Sequence, residues 1–314
     1  MPDIPYFDAH CDTVSACAHL GRSLRRNEGQ LDLIRLRSFR KAAQFFAVFA
    51  DSARLPEGGM YAECVRQKDF FFAQLAENRD IVLPCRTAAE IRAANDCGRV
   101  AAILSLEGGE LLDCDPDRLE TAAAWGVRCV NLTWNHRNAL SGTHCDRPDR
   151  GLTEQGRAFV RQAQRLGILI DVSHLSDAGF RDLIRVTEAP VVATHSDARA
   201  VCPHSRNLTD DMFRAIADTG GAAGLNLYAD FIGGTEMDDI LRHIEHFLDL
   251  GGEKCLCLGG DLDGCETLAG GFAGVQDLAR LWDALADRGY DRPLMEDIFF
   301  NNLLRLLAGT DTSE

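Results

Sequence analysis

The chain carries little positive charge. It contains 33 lysine and arginine residues against 48 aspartate and glutamate residues, which gives a formal charge of −15. A surface that binds nucleic acid or an anionic membrane needs a basic patch, so we expect neither kind of partner. Lysine is especially scarce, because Lys41, Lys68 and Lys254 are the only ones in the sequence.

Long apolar runs and paired cysteines are also missing. No stretch approaches the roughly 18 consecutive apolar residues of a membrane span, and Met1–Pro5 does not begin a signal peptide. We therefore expect a soluble, cytoplasmic protein. The 12 cysteines include no CxxC pair, which excludes a zinc ribbon and a thioredoxin-like motif. Reduced thiols packed as small apolar side chains are the expected state of these cysteines.

What the chain does contain is a series of short, apolar, strand-like runs that end in polar residues. Such runs are typical of parallel strands that are covered by helices. With 314 residues, of which 46% are hydrophobic, the chain can bury a large core. Eight strands are predicted: Tyr6–Asp12, Ala43–Asp51, Val100–Glu107, Val127–Trp134, Gly167–His174, Pro190–His195, Gly221–Asn226 and Lys254–Asp261.

Amphipathic, helix-like stretches lie between most of these strands. They are Tyr61–Asn78, Pro116–Trp125, Thr153–Leu166, Ser176–Thr187, Thr209–Thr219, Met237–Leu250 and Val275–Arg288, with a final helix over about Pro293–Leu307. The alternation predicts an α/β protein with the fold of a (β/α)8 TIM barrel. Since no linker-like segment interrupts residues 1–314, we expect one catalytic domain. A doubly wound open sheet is the alternative, although the first strand leads into no glycine-rich phosphate fingerprint.

Side chains that bind metals recur at or just beyond the C-terminal ends of five predicted strands. In a TIM barrel these ends meet at the mouth where active sites form. His10 and Asp12, two residues apart, would project from the same face of a strand. The full set is His10, Asp12, Glu107, His174, His195 and Asp261.

This set offers enough ligands for two divalent ions. Imidazole nitrogens combined with carboxylate oxygens favour Zn²⁺, with Mn²⁺, Co²⁺ or Fe²⁺ as alternatives. Some barrels place a modified lysine between two metals, but no lysine of this chain follows a predicted strand. Glu107 is therefore the best candidate for a bridging ligand.

The motifs around these residues resemble those of the membrane (renal) dipeptidase family, in the order in which the family has them and over nearly the whole chain. The segments that carry the resemblance are Phe7–Asp12, Ser105–Gly109, Ile170–His174, Thr194–Ser196, Ser205–Asn207 and Gly260–Gly264. Each segment alone is weakly diagnostic, whereas the set is specific.

The resemblance implies a binuclear zinc dipeptidase on a metal-dependent hydrolase barrel. It implies that His10 and Asp12 bind one zinc ion, that His174 and His195 bind the other, and that Glu107 bridges them. Arg206 would receive the free carboxylate of the substrate, for which its planar donors are suited. Asp261 matches the acid/base aspartate, and Tyr228 resembles a tyrosine that lines the substrate pocket.

The chain departs from the family pattern after the fourth predicted strand. Better-known members have a histidine directly behind Leu-Thr that contacts the substrate, whereas Trp134 occupies that position here. Trp134 is thus a candidate substrate-binding residue. His136 could reach into the site from two residues later, or it could be a loop histidine that faces solvent.

We expect hydrolysis of dipeptides with a free C-terminal carboxylate, by a hydroxide held between two zinc ions. Asp171 and Asp263 are expected to orient metal ligands. The same barrel could instead hydrolyse cyclic amides, lactones or phosphotriesters, since a fold does not fix a function. A metal-binding protein without catalytic activity is a further alternative. A homodimer is a reasonable expectation for a barrel of this size.

Overall fold

Nine parallel strands form the centre of the protein in the computed structural model, which describes residues 3–56 and 58–310. They are β1 (Pro5–Asp8), β2 (Lys41–Phe49), β3 (Val82–Pro84), β4 (Val100–Glu107), β5 (Val127–Asn131), β6 (Leu169–Asp171), β7 (Val191–Ala193), β8 (Ala222–Leu225) and β9 (Leu256–Leu258).

Eight of these strands close into a barrel. The pairing runs β2-β1-β9-β8-β7-β6-β5-β4, and β4 pairs with β2 again, with Ala43 opposite Ala101 and Phe49 opposite Glu107. β3 pairs only with the first residues of β4. The predicted (β/α)8 barrel is confirmed. The alternative, an open doubly wound sheet, is wrong, because an open sheet has two unpaired edge strands whereas here β2 and β4 pair with each other.

Helices surround the barrel. They are α1 (Thr13–Leu20), α2 (Leu33–Leu36), α3 (Gly59–Glu77), α4 (Ala88–Asp96), α5 (Arg118–Trp125), α6 (Glu154–Arg165), α7 (Asp177–Val186), α8 (Asp210–Asp218), α9 (Ala229–Ile232), α10 (Met237–Asp249), α11 (Leu278–Asp287), α12 (Arg292–Glu296) and α13 (Asn302–Thr310). Hydroxyl side chains fix several starts, because Thr153, Ser176 and Thr209 each accept a hydrogen bond from the amide three residues later. None of the described helices has the length and apolar character that crossing a bilayer requires.

The interior of the barrel is filled by small and aromatic side chains. Ala43, Ile103, Val192 and Cys257 are fully buried there together with Phe7. The N-terminal end of the barrel is closed by the last segment of the chain, residues 297–307. Phe300 from this segment lies 5.6 Å from the ring of Phe7, measured between centroids. The opposite, C-terminal mouth is the end of the barrel that this segment leaves uncovered.

Two glycines allow the strands to pack closely beside that mouth. A Cβ atom on Gly224 or Gly259 would lie 2.0 Å or 1.8 Å, respectively, from the carbonyl oxygen of Thr194. No side chain fits within such a distance, so glycine is required at both positions. This close approach fixes the backbone immediately before His195.

Several elements differ from the sequence prediction. The first strand ends at Asp8 rather than Asp12, since the Asp8 carboxylate accepts hydrogen bonds from the amides of His10 and Gly260 and the chain then enters α1. Asp12 is the residue that precedes α1. The helices α1, α2, α4 and α9 and the short strand β3 were not predicted.

Candidate metal centre and active site

The polar residues predicted at the barrel mouth come together in the structure. Glu107 is the last residue of β4, and His10 and His195 lie two residues beyond β1 and β7. His174 and Asp261 lie three residues beyond β6 and β9. All five side chains are buried, as is Asp12.

Glu107 lies at the centre of this cluster. One of its carboxylate oxygens, Oε1, is 2.9 Å from Nε2 of His174 and 3.4 Å from Nε2 of His195. The other oxygen, Oε2, is 3.5 Å from Nε2 of His10. One carboxylate thus faces imidazoles on two sides, which is the arrangement that a ligand shared by two cations requires.

His10 is in turn surrounded by carboxylates. Its Nε2 lies 3.5 Å from Oδ2 of Asp12 and 3.9 Å from Oδ1 of Asp261. This nitrogen and Oδ1 of Asp12 are buried without a hydrogen-bond partner among the described residues. An unpaired buried polar group costs about 1–3 kcal/mol. Imidazole and carboxylate donors that converge in this way fit divalent cations, which would satisfy both atoms.

The electrostatics of the cluster also favour bound cations. Burial, reinforced by the charge of Asp12, raises the pKa of Glu107 to about 7. Burial likewise raises the pKa of Asp261 to about 6, with Asp12 adding to the shift. Burial alone would lower the pKa of His10, but the charges of Glu107 and Asp12 outweigh it and raise that pKa. Negative charge is crowded here, and a divalent ion would relieve the repulsion.

The pKa values of the other two histidines, His174 and His195, are shifted downwards. Burial lowers the pKa of His174 and of His195, and the positive charge of Arg206 lowers both further. Both rings are therefore neutral at pH 7, which is the form in which imidazole binds metals.

Two of the site residues have a strained backbone. The φ angles of His174 and Asp261 are 69° and 55°, in the left-handed region that residues other than glycine seldom adopt. Such strain is typical of functional sites, where the surrounding structure holds a residue in a conformation it would not choose. It turns both side chains from the barrel wall into the mouth.

A second layer of polar groups orients the imidazoles. Nδ1 of His174 is 2.8 Å from Oδ1 of Asn135, and Nδ1 of His195 is 2.7 Å from Oγ1 of Thr194. The Thr194 hydroxyl donates a hydrogen bond to Asp171, so Asp171 is linked to the ring of His195 through Thr194, and its role in orienting a metal ligand stays a prediction. Asp263 does not have this role. Its carboxylate accepts hydrogen bonds from the Thr13 hydroxyl and the Gln30 amide, which anchors the loop after β9.

Asn135 and His144 were missed by the sequence analysis. His144 Nε2 lies 2.9 Å from the same Oδ1 of Asn135 that contacts His174, and its Nδ1 lies 2.9 Å from the hydroxyl of Ser205. Burial and the charge of Arg206 lower the pKa of His144 to about 3, so the ring is neutral. No local pattern could reveal the contacts with His174 and Ser205, because each joins this loop to a residue in a different loop.

A cavity of about 420 Å³ opens onto the cluster. Trp134 and Tyr228, both predicted to bind substrate, line it together with Phe49 and Phe231. The ring centroid of Trp134 lies 4.8 Å from that of Phe49 and 6.2 Å from that of His174. The cavity therefore has aromatic walls above an acidic floor.

Arg206 is buried beside the cluster. Its guanidinium donates hydrogen bonds of 3.0 Å to the Ser196 hydroxyl and to the carbonyl oxygen of His195, and its Nε has no hydrogen-bond partner within the described part of the chain. Both of these acceptors are neutral, and no carboxylate accepts from this guanidinium among the described residues, so its charge is available to an anionic ligand.

His136, His243 and Lys41 lie outside the cluster. His136, which the sequence placed either in the site or in solvent, is half exposed and pairs with Asp51 at 3.3 Å. His243 is buried, with its two ring nitrogens near the Ala198 amide and the Ile232 carbonyl oxygen. Lys41 lies at the start of β2, with its ammonium over the ring of Phe300.

A closed barrel whose C-terminal mouth holds histidines around a shared carboxylate defines the class of metal-dependent hydrolases. The family model described as Membrane dipeptidase (Peptidase family M19) matches residues 1–314. The chain belongs to the membrane dipeptidase family, peptidase family M19, and is a metal-dependent dipeptide hydrolase.

Individual relatives agree with this assignment. Dipeptidase aclJ of Aspergillus oryzae is 31% identical over 297 residues, which are 90% of this chain and 70% of that protein. The solved structure of dipeptidase AC, a metallo peptidase of family M19, has 32% identity and a TM-score of 0.90, covering 98% of this chain and 99% of that one. A metallo peptidase from Rhodobacter sphaeroides, liganded with a phosphinate mimic of the dipeptide L-Ala-D-Ala, has 30% identity and a TM-score of 0.89, covering 98% and 99% of the respective chains.

Proposed function

We propose that the protein is a binuclear zinc dipeptidase that hydrolyses dipeptides with a free C-terminal carboxylate. The observation that carries this proposal is the position of Glu107, whose two oxygens face His10 on one side and His174 with His195 on the other. A carboxylate shared in this way suits two cations rather than one.

Each side of Glu107 has its own set of donors. His10 and Asp12 would hold one ion, and His174 and His195 would hold the other. The mixture of imidazole and carboxylate favours Zn²⁺, with Mn²⁺, Co²⁺ and Fe²⁺ as alternatives. When bound, such ions polarise a carbonyl group and lower the pKa of water from 15.7 to about 7.

Asp261 is the residue that we assign to proton transfer. Its Oδ2 accepts a hydrogen bond of 3.0 Å from the Asn226 side chain, which leaves Oδ1 directed towards His10 and the cavity. Burial raises its pKa to about 6, which suits a group that takes a proton from the attacking water and returns it to the leaving amine near neutral pH.

Arg206 is the residue that we assign to the substrate carboxylate. Its buried guanidinium offers charge-assisted hydrogen bonds, and these are stronger than those between neutral groups. Trp134 and Tyr228 would pack against the side chains of the dipeptide. A carboxylate anchored beside the cluster limits the substrate to a short peptide and places the scissile bond at Glu107. The relative that is liganded with a dipeptide mimic supports this choice of substrate.

The proposal is tested by removing and restoring metal. We expect protein stripped with a strong chelator to lose hydrolysis of a stereochemically varied dipeptide panel, and two equivalents of zinc per chain to restore it. Elemental analysis of the restored protein checks the stoichiometry. Activity that survives thorough metal removal would contradict the proposal.

Arg206 distinguishes a dipeptidase from a hydrolase of lactones or other neutral substrates. We expect Arg206→Met to lower kcat/KM for dipeptides about 10- to 100-fold, because each lost hydrogen bond to a charged group is worth about 1.5–3 kcal/mol. The same dipeptides with an amidated C-terminus should be hydrolysed equally by both forms. Arg206→Lys, which keeps the charge but not the planar fork, should fall between them. Equal losses on acid and amide substrates would argue against carboxylate recognition.

A further inference from the structure

The loop between β5 and α6 folds over His174 and holds its strained backbone. The amide of His144 donates a hydrogen bond of 2.9 Å to the His174 carbonyl oxygen, and the Thr143 hydroxyl lies 2.9 Å from the same oxygen. These contacts compensate for the left-handed conformation of His174, whose φ angle is 69°. The loop is therefore part of what aims this imidazole at Glu107.

Side chains of the same loop hold the imidazole itself. Oδ1 of Asn135 is 2.8 Å from Nδ1 of His174 and 2.9 Å from Nε2 of His144. An amide oxygen only accepts hydrogen bonds, and it has two lone pairs, so both rings donate to it. His174 then carries its proton on Nδ1 and presents a bare Nε2 to Glu107. His144 occupies the second lone pair and holds the Asn135 amide in the orientation that His174 needs.

The other nitrogen of His144 reaches a different loop. Nδ1 is 2.9 Å from the hydroxyl of Ser205, the residue directly before Arg206. Because Nε2 of the neutral ring carries the proton, Nδ1 accepts from Ser205. The path from His174 through Asn135 and His144 thus ends at the residue directly before Arg206, the arginine that we assign to the substrate carboxylate.

We infer that His144 is a positioning residue that couples the metal centre to the carboxylate-binding loop. It fixes His174 through Asn135 and Arg206 through Ser205, and it contacts neither the reacting atoms nor the substrate. The inference rests on the proposed function for the roles of His174 and Arg206. Outer hydrogen-bond partners of metal-binding histidines typically change metal affinity or activity 10- to 100-fold when they are removed.

The experiment compares His144→Ala with His246→Ala in the full-length protein. His246 is a partly buried histidine on α10 that pairs with Asp210 at 2.8 Å, outside the barrel mouth, and it serves as the matched control. Zinc affinity is measured by competition with a chromophoric chelator, which needs no turnover. We expect about 10- to 100-fold weaker zinc binding for His144→Ala and wild-type affinity for His246→Ala.

The second measurement is the KM for a dipeptide and for its C-terminal amide. His144→Ala should raise the KM of the dipeptide and leave that of the amide unchanged, since only the acid uses Arg206. Ser205→Ala should reproduce the KM effect while it preserves zinc affinity. The two changes combined should raise the KM no more than His144→Ala alone.

A variant that keeps the hydrogen bonds of His144 separates their loss from the loss of side-chain volume. Glutamine at this position can donate to Asn135 and accept from Ser205, so His144→Gln should recover most of both losses. Thermal unfolding of each metal-free variant checks that the fold is retained. Wild-type zinc affinity and KM in His144→Ala would overturn the inference even if the protein is a zinc dipeptidase. A wild-type protein that binds no zinc and cleaves no dipeptide would instead overturn the proposed function.

Discussion

Glu107→Gln is expected to reduce dipeptide hydrolysis to the level of the metal-free protein. The carboxylate lies within 3.5 Å of three imidazole nitrogens, and an uncharged amide cannot bridge two cations. Zinc should therefore raise the unfolding temperature of the wild type and leave that of the variant nearly unchanged, because only a ligand that binds the folded state stabilises it. Differential scanning fluorimetry with and without zinc provides the measurement.

Without metal, the order of stability should be reversed, so that Glu107→Gln is at least as stable as the wild type. Burial raises the pKa of Glu107 to about 7, so the folded state disfavours its ionised form. An acid whose folded pKa lies above its unfolded value loses stability as the pH rises towards the folded pKa. The metal-free wild type should thus lose stability between about pH 4.5 and pH 7. Glu107→Gln removes this contribution, so its metal-free form should unfold no earlier than the wild type at pH 8. An equal zinc-induced rise in both proteins would exclude Glu107 as a ligand.

Asp261→Asn is expected to lower kcat about 10²- to 10⁴-fold, the range that proton transfer by a side chain contributes. The substitution preserves shape, and asparagine tolerates the φ angle of 55° at this position. The amide oxygen can still accept the hydrogen bond from Asn226, so KM should change only slightly. Steady-state kinetics on zinc-loaded protein, with elemental analysis of the same sample, measures the effect.

Asp263→Asn is the matched control for this change. Asp263 lies in the same loop with a φ angle of 66°, but its carboxylate holds the Thr13 hydroxyl and the Gln30 amide. Its replacement should lower the unfolding temperature and leave kcat within about tenfold of the wild type, below the range for proton transfer. If both variants lost kcat equally, Asp261 would have no special part in proton transfer.

The barrel could be predicted from the sequence because each of its eight strands is an apolar run that ends in a polar residue or is followed by one within three positions. The predicted ends were less accurate where the chain leaves the barrel. Tyr6–Asp12 was predicted as one strand, but the Asp8 side chain takes the hydrogen bonds of two backbone amides and ends β1 early. β3 has only three residues and contains a proline, so no periodicity marks it. A signal for α4 was present, since Thr87 and Glu90 form a capping box.

The site was predictable to the extent that its residues terminate strands. Glu107 ends β4, His10 and His195 lie two residues beyond β1 and β7, and the closure of the barrel brings the three together. Asn135 and His144 belong to a loop whose path is set by contacts with residues 39 and 61 positions away, which no local pattern encodes. For the same reason the sequence left open whether His136 enters the site, whereas the structure pairs it with Asp51.

The segment that seals the lower end of the barrel has a consequence for biosynthesis. Phe300, Leu303 and Leu307 contribute to the interior although they are translated after all nine strands. A nascent chain on the ribosome therefore exposes the apolar interior of the barrel at its N-terminal end until residues 297–307 have emerged. We expect ribosome-stalled intermediates that end before Asp297 to bind hydrophobic dyes and chaperones, and the mature enzyme to do neither.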